Sequence, residues 1–157
     1  MTLVELVRLF AEQLDTAVVL TDVDLERPGP TVLYVNPAFT RMSGYAGSEV
    51  VGNSPRLLQG EGTRRELTRL VARKLLAEGR FHCVLKNYRC SGEAYLCELD
   101  VRAVHGRDGQ PLAFIAFERE VVRRRGRPSR DGVGRYTPLG LDSASVTPMN
   151  LQPAIFG

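Results

Sequence analysis

The chain lacks several features on which common classes of protein depend. It has no tryptophan, two histidines and three cysteines, and no run of apolar residues approaches the ~20 that a membrane helix needs. The cysteines Cys83, Cys90 and Cys97 are odd in number and form no Cys-x-x-Cys pair, which argues against a disulfide framework or a zinc site. No basic segment precedes an apolar run at the N-terminus, as a signal peptide would require. We therefore expect a cytoplasmic protein with no membrane partner.

Residue patterns typical of enzymes are also missing. We expect His82 on the outward face of a strand and His105 beside a turn, which disfavours both as haem ligands. The spacing of the chain's residues indicates no Ser/His/Asp arrangement, no paired carboxylates and no phosphate-cradling glycine loop. The sequence therefore predicts a protein that is not an enzyme.

The excess of positive charge belongs to the end of the chain. Residues 1–118 carry 14 basic and 15 acidic side chains, whereas residues 119–157 carry seven basic and three acidic ones. The segment 122–157 is rich in Gly, Pro, Ser and Arg and shows no apolar periodicity, which predicts a flexible, largely disordered tail.

Within this tail, Arg125, Gly126, Arg127 and Pro128 follow one another. The run resembles the core of an AT-hook, a motif that lies in the narrow minor groove of A·T-rich DNA, where negative potential is concentrated. Charge runs are usually solvated, however, so nucleic acid is a secondary hypothesis for a partner.

Apolar periodicity and turn residues divide the rest of the chain into short elements. An amphipathic N-terminal helix is expected over 1–14, with Leu3, Leu6, Val7, Phe10 and Leu14 as its apolar stripe. Thr63 and Glu66 are predicted to form the capping box of the longest helix, 63–78. Ser48 is predicted to cap a short turn. The predicted strands are 17–20, 32–35, 81–88, 95–105 and 112–120, and another helix opens at Pro37 and ends at Ser43.

Alternating apolar and polar residues in 81–88 and 95–105 indicate a sheet with one buried face. The element order predicts an α+β domain over 15–121, with a five-stranded antiparallel sheet and short helices on one face. Val84, Leu96, Ile115 and Phe117 fall on the outer face of that sheet. An open apolar patch there would mark an interface, which the N-terminal stripe could cover within one chain or across a homodimer.

The stretch from Gly52 to Gly60 reads Gly-Asn-Ser-Pro-Arg-Leu-Leu-Gln-Gly. It resembles the signature of the LOV class of PAS domains, which are flavin-binding blue-light sensors. Tyr-Val-Asn-Pro-Ala-Phe at 34–39 and Leu-Lys-Asn-Tyr at 85–88 extend the resemblance, which implies the PAS fold. Pro55 occupies the position of the cysteine that attacks the flavin in this class, so the resemblance implies a member without the thiol–flavin adduct.

The same resemblance suggests candidate cofactor-binding residues. Arg56 matches an arginine that contacts the flavin phosphate in the family, and Gln59 matches a residue that hydrogen-bonds the ribityl chain. Asn87 matches an asparagine that contacts the polar edge of the flavin ring. Thr21 matches a position that lines the flavin cavity. Alternatives remain for three of them: a surface ion pair for Arg56, a loop cap for Gln59 and a backbone partner for Asn87. The sequence departs from the family at Ser54 and Cys97, each of which replaces an asparagine. Arg69 is a candidate for a second contact with the flavin phosphate.

Glu118 replaces the family glutamine that hydrogen-bonds the flavin's reactive nitrogen. A carboxyl group facing an apolar cavity would raise its own pKa or require a cation, and in its protonated form it could donate a hydrogen bond or a proton. The alternative is a hydrated carboxylate at the end of a strand.

Two hypotheses of different class follow. The first is a sensory protein that binds FMN, or FAD, and uses photoreduction or redox sensing, with output through a homodimer or an unknown effector. The second is a PAS interaction module without ligand, whose cavity is filled by its own side chains and whose basic tail could bind DNA.

Overall fold

The computed structural model describes residues 1–124 and 136–139, and the chain divides into one unit over Met1–Glu120 and a second from Val121 onward. The helices are α1 (Leu3–Ala11), α2 (Pro37–Ser43), α3 (Gly47–Val50) and α4 (Arg65–Glu78), with a 3-10 helix at Pro55–Leu58. The strands are β1 (Ala17–Thr21), β2 (Val32–Val35), β3 (Arg80–Tyr88), β4 (Ala94–His105), β5 (Pro111–Arg123) and β6 (Tyr136–Pro138). Over these described residues, no helix has the length and apolarity to cross a bilayer.

The strands form one sheet in the order β2-β1-β5-β4-β3, so β5 lies at its centre. β1 pairs antiparallel with both β2 and β5, and β3 pairs antiparallel with β4 over its whole length. The α+β fold and the five antiparallel strands predicted from the sequence are confirmed. β6, which pairs with Val121–Arg123 at the end of β5, is a sixth strand that the sequence did not predict.

One face of the sheet carries the core. Ala17 and Val19 of β1, Leu85 of β3 and Phe114 and Ala116 of β5 belong to a single buried cluster. Because side chains alternate along a strand, these residues share a face with every second neighbour in their strands. The helices complete the cluster from the other side with Ala38, Phe39, Val50, Leu58 and Leu75.

Two predicted helix caps are wrong. Thr63 does not cap α4: its hydroxyl accepts a hydrogen bond from the Gly60 amide and donates one to the Lys86 carbonyl. The helix instead begins after Arg64, which offers no side-chain cap. Ser48 does not cap α3 either, since that helix begins after Ala46. Loop contacts that are distant in sequence explain the Thr63 error, because the hydroxyl bridges to β3.

Helix α1 packs with a different stripe from the one predicted. Thr2 caps it through a capping box with Glu5, and its buried residues are Val7 and Ala11. Leu6 is 48% exposed and Leu9 is 72% exposed, so much of the helix's apolar surface faces solvent. The helix ends at Ala11, before the predicted end at residue 14, and Val7 is the one residue of the predicted stripe that is buried.

The sequence left open whether the apolar residues of the outer sheet face are exposed or covered. Ile115 and Phe117 lie on that face but are buried. Beside them, the Glu98 carboxylate accepts hydrogen bonds from Arg119 at 2.9 Å and from His82 at 2.9 Å. Burial opposes ionisation of Glu98, but these two partners outweigh it and hold the pKa of Glu98 below its usual value.

Asn36 joins three elements through one buried side chain. Its Oδ1 accepts hydrogen bonds from the amides of Val18 (2.8 Å) and Phe39 (3.1 Å), the second of which caps α2. Its Nδ2 donates to the carbonyls of Ala11 and Thr16, both at 2.9 Å. The amide thereby connects the end of α1, the start of β1 and the start of α2 with no polar atom left unpaired.

We predict that Asn36→Ala lowers the free energy of unfolding by about 2–4 kcal/mol, because it removes a helix cap and leaves buried backbone groups unpaired. Asn36→Ser is the comparison variant, since its hydroxyl can still accept the hydrogen bond that caps α2 but cannot replace both amide donors to Ala11 and Thr16. Urea denaturation should rank the wild type above Asn36→Ser and Asn36→Ser above Asn36→Ala. Equal stability of the alanine variant and the wild type would contradict this role.

Candidate functional site

A cavity lies between the inner face of the sheet and the helices. Its volume is about 130 Å³, and it is partly open to solvent. We call it the inner cavity. Its wall includes Val19, Thr21, Leu25, Pro30, Pro55, Arg56, Leu58, Gln59, Thr68, Val71, Ala72, Leu75, Leu85, Asn87, Cys97, Leu99, Val101, Phe114, Ala116 and Glu118. The chain's own side chains leave this space partly open, and most of its wall is apolar.

Three neighbouring strands each contribute one polar side chain to the cavity wall. Asn87 of β3, Cys97 of β4 and Glu118 of β5 all line the cavity and are all buried. The Cys97 thiol donates a long hydrogen bond to Glu118 Oε2, with 3.6 Å between sulfur and oxygen. The sheet thus places an amide, a thiol and a carboxyl group together in an otherwise apolar wall.

Glu118 is not a hydrated residue at the end of a strand, because it is 5% exposed. Burial raises the pKa of its carboxyl group from 4.5 to about 7, and the hydrogen bond from Cys97 offsets only part of that effect. Burial is also the main reason that the pKa of the Cys97 thiol lies well above its usual value, followed by the nearby Glu118 charge. Near neutral pH this end of the cavity therefore holds a thiol and a carboxyl group poised between its two protonation states.

Arg56 is fixed by backbone carbonyl groups and not by a carboxylate. Its Nε donates to the Gly29 carbonyl at 2.8 Å and its Nη2 donates to the Leu25 carbonyl at 3.0 Å. The loop that offers these carbonyls is tight, since a Cβ at Gly29 would lie 2.4 Å from the Asp24 carbonyl oxygen. Burial lowers the pKa of Arg56, and the charge of Arg27 adds to the effect. These contacts do not support the alternative that Arg56 forms a surface ion pair.

A groove adjoins the mouth of the inner cavity and shares Leu25, Arg56, Thr68 and Ala72 with it. We call it the basic groove, since its wall adds four arginines and one acidic residue: Arg27, Arg65, Arg69, Arg73 and Glu66. Within the described residues, none of the ion pairs involves these four arginines. The groove therefore offers net positive charge beside an apolar chamber.

The structure brings together most of the residues predicted to bind a cofactor. The inner cavity is lined by Thr21, Arg56, Gln59, Asn87, Cys97 and Glu118. Arg69 lies in the basic groove instead. Ser54 does not line the cavity; its hydroxyl accepts a hydrogen bond from the Arg56 amide and caps the 3-10 helix. The candidate DNA-contacting residues 125–128 lie outside the described part of the chain.

Sequence reasoning missed Arg27 and Arg65 as members of the basic groove. Arg65, Arg69 and Arg73 are spaced four residues apart on α4, so they share one face of the helix. That spacing was visible in the sequence. Arg27 reaches the groove from a loop whose path no local pattern predicts.

Across residues 1–124 and 136–139, no cluster of His, Cys, Asp and Glu side chains could hold a metal ion. Cys97 is the one cysteine on the cavity wall, and Cys83 and Cys90 do not line it. Because a thiolate is the nucleophilic form, the raised pKa of Cys97 makes it a poor nucleophile.

Comparison with known proteins identifies the family. The model of the PAS fold matches residues 5–121, so the chain belongs to the PAS family. It is 33% identical over 95 residues to a blue-light-activated histidine kinase of Brucella canis, which covers 60% of this chain and 19% of the kinase. It is also 29% identical over 118 residues to the bacterioopsin transcriptional activator of Halobacterium salinarum, covering 74% of this chain and 18% of that protein. The chain thus spans about a fifth of the length of these curated relatives.

Solved structures point to the LOV class. The LOV domain of a blue-light-activated histidine kinase from Erythrobacter litoralis superimposes with a TM-score of 0.63 and 27% identity, covering 69% of this chain and 97% of that one. An RNA-binding light-oxygen-voltage receptor superimposes with a TM-score of 0.65 and 28% sequence identity, covering 75% of this chain and 33% of the receptor. The chain is therefore a sensory-type PAS domain with LOV homologues.

We predict that Glu118→Gln changes how stability depends on pH. The pKa of the wild-type carboxyl group is about 7 in the folded state and 4.5 when the group is exposed to water. Between these two pH values the folded state keeps a proton that the unfolded state has lost. Wild-type stability should therefore fall as pH rises from 4.5 through 7, by about 3 kcal/mol from this group. Glu118→Gln, which cannot ionise, should lack this contribution when unfolding is measured across pH 4.5–8.

Glu98→Gln is a control, because Glu98 makes stability depend on pH in the opposite direction from Glu118. Because the pKa of Glu98 is held low in the folded state, its stabilising effect is present near neutral pH and is lost on acidification. Glu98→Gln should therefore destabilise the protein most at neutral pH. The prediction fails if Glu118→Gln and the wild type keep the same pH dependence.

Proposed function

We propose that this chain is a flavin-binding sensory domain that holds its cofactor without a covalent bond. The single observation that carries the proposal is the inner cavity: a largely apolar chamber with Asn87 and Glu118 at its sheet end and arginines at its mouth. A flavin has a planar ring with a polar edge, joined through a sugar-alcohol chain to a phosphate. Its two ends require the two kinds of surface that this cavity and the basic groove present.

A bound flavin would supply blue-light absorption and reversible reduction. The chain's residues would supply recognition and proton control. Asn87 offers both donor and acceptor atoms of an amide, and Arg56 offers a guanidinium that its backbone contacts already orient. Glu118, with a pKa near neutral, can hold or release a proton inside the chamber, so its charge can report a change in the ligand's own protonation.

We propose that no cysteine forms a thioether bond with the flavin in this protein. Pro55 lines the cavity at the point where the LOV signature has its reactive cysteine, and proline has no nucleophile. Cys97 does not replace that cysteine, because its thiol stays protonated near neutral pH. Photoreduction or redox sensing is therefore the signal that we propose, and FMN and FAD carry the same ring and first phosphate.

A route for output begins two residues after Glu118. Glu120 Oε1 accepts a hydrogen bond from Arg89 Nη2 at 2.7 Å, and Arg89 Nη1 donates to the Met42 carbonyl at 2.6 Å. The end of β5 is thus connected through Arg89 to the β3–β4 hairpin and to α2. We propose that a change of charge at Glu118 alters this connection, and that an effector or a second copy of the chain reads the change.

We predict that Arg65→Ala/Arg69→Ala weakens FMN binding at least about tenfold and leaves riboflavin binding unchanged, since only FMN carries the phosphate that these arginines would contact. Fluorescence titration of the apoprotein with each flavin measures both affinities. Arg107→Ala, at the exposed β4–β5 turn, should change neither. Failure of the wild type to bind either flavin would refute the proposed function, and unchanged FMN affinity in the double variant would refute the role of the groove.

The partner that we propose is a second copy of the chain, docked through the exposed side of α1. We predict that Leu9→Glu converts a dimer to a monomer in light-scattering measurements, because it places a charge on the exposed apolar surface. Leu76→Glu on α4 is the matched control: Leu76 is 74% exposed and Leu9 is 72% exposed. A wild type that is monomeric at high concentration would rule out the dimer.

A further inference from the structure

A short segment joins two parts of the inner cavity's wall. Gln59 precedes this segment and Thr68 follows it, and both line the cavity. Between them the chain leaves the 3-10 helix, turns through residues 60–63 and begins α4 after Arg64. We call residues 60–63 the strap. The position of the strap therefore determines where Gln59 and the first turns of α4 stand along one side of the cavity.

Two hydrogen bonds hold the strap against β3. The Gly62 amide donates to the Tyr88 hydroxyl group at 2.8 Å, and the Thr63 hydroxyl group donates to the Lys86 carbonyl at 2.6 Å. Tyr88 and Lys86 flank Asn87, which lines the cavity. The strap is thus attached to the sheet on both sides of a cavity residue, and we call these two contacts the latch.

The strap and Tyr88 fit closely together. A Cβ at Gly60 would lie 2.5 Å from the Tyr88 ring, so only glycine lets the chain pass the ring at this distance. Thr63 is 8% exposed, whereas the other three strap residues are exposed. Burial within the strap is therefore confined to the threonine whose hydroxyl group belongs to the latch.

The cavity must widen before it admits a flavin. Its volume of about 130 Å³ is below the ~300–1,000 Å³ of clefts that hold drug-sized molecules. One side of its wall is the sheet, in which β1, β4 and β5 have a hydrogen-bonded neighbour on each side. On the other side is α4, where Leu75 is the one buried residue of this fully described helix and Leu67 and Val71 are partly buried. Because elements with few buried contacts open most readily, the wall next to the strap is the side that can move.

We propose that the latch gates the inner cavity: Tyr88 and Thr63 hold the strap closed on β3, and a flavin enters and leaves when the strap detaches. The inference rests on the proposed flavin site, because the gate is defined by the ligand that passes it. Tyr88 and Thr63 lie outside the cavity wall, so they are positioning residues that act through Gln59 and Asn87. The latch sets how fast the ligand exchanges, and the cavity wall sets how tightly it binds.

Tyr88→Phe in the whole chain tests the latch, because it removes the hydroxyl group and keeps the ring beside Gly60. Stopped-flow fluorescence with riboflavin measures both rate constants. We expect the association and dissociation rate constants each to rise about threefold to tenfold, since the closed state loses one hydrogen bond, while the dissociation constant changes less than about twofold. A substitution that only destabilised the fold would not speed association.

Thr63 offers an independent variant with a conservative rescue. Thr63→Val keeps the shape of the side chain but loses the hydroxyl group's hydrogen bonds to Gly60 and Lys86. It should speed riboflavin association and dissociation together, and Thr63→Ser, which keeps the hydroxyl group, should restore rates close to those of the wild type. Hydrogen exchange of residues 59–68 in the apoprotein should be faster in Thr63→Val and Tyr88→Phe than in the wild type.

Tyr34→Phe is the matched control. Tyr34 is 4% exposed, and its hydroxyl group donates to Glu12 Oε2 at 2.8 Å, away from the strap and the cavity wall. The variant removes a tyrosine hydrogen bond of the same length as the one between Gly62 and Tyr88. Tyr34→Phe should therefore leave both riboflavin rate constants and the hydrogen exchange of residues 59–68 unchanged.

Three outcomes would overturn the inference. If the wild type binds riboflavin, and Tyr88→Phe and Thr63→Val leave both rate constants unchanged, the two hydrogen bonds are only structural and the proposed function stands. If dissociation alone becomes faster and the dissociation constant rises with it, the hydroxyl groups stabilise the complex and do not gate it. If the wild type binds no flavin, the proposed function fails and this inference fails with it.

Discussion

The burial of one carboxyl group on the central strand is the constraint on which this site depends. Glu118 lies opposite Ala17 in the pairing of β5 with β1, and it faces inward with Phe114 and Ala116. A shift of one residue would turn Glu118 outward but would also turn Phe117 inward and expose the core residues of β5. The register that buries the core therefore also buries the carboxyl group, and without a nearby cation the group retains its proton up to about pH 7.

The site changes in character from its interior to its entrance. The deep end presents groups that exchange hydrogen bonds and protons, the middle is apolar, and the basic groove adds positive charge outside. Such an order matches an elongated ligand with a polar-edged ring and an anionic tail better than it matches a small ion or an apolar molecule. A LOV domain of a kinase named for blue-light activation shares this fold, so the proposal places a related function in this cavity, which has Pro55, Cys97 and Glu118 on its wall.

The sequence predicted the parts of the molecule that depend on local patterns. Alternation along β3 and β4 was enough to predict their inner and outer faces, and Asn36-Pro37 correctly predicted the start of α2. Contacts between distant segments were not predictable in this way. The hydroxyl of Thr63 is used by a strand 23 residues away, so it does not cap the helix that follows it. The burial of Glu118 likewise became apparent only when the strands were placed side by side.

A crystal structure of the protein grown with FMN would test the central claim most directly. The account predicts one flavin per chain, with the ring in the inner cavity beside Asn87 and Glu118, the phosphate at the basic groove, and no covalent bond to the protein. A structure in which the cavity is closed by its own side chains and no flavin is bound, despite saturating FMN, would contradict it.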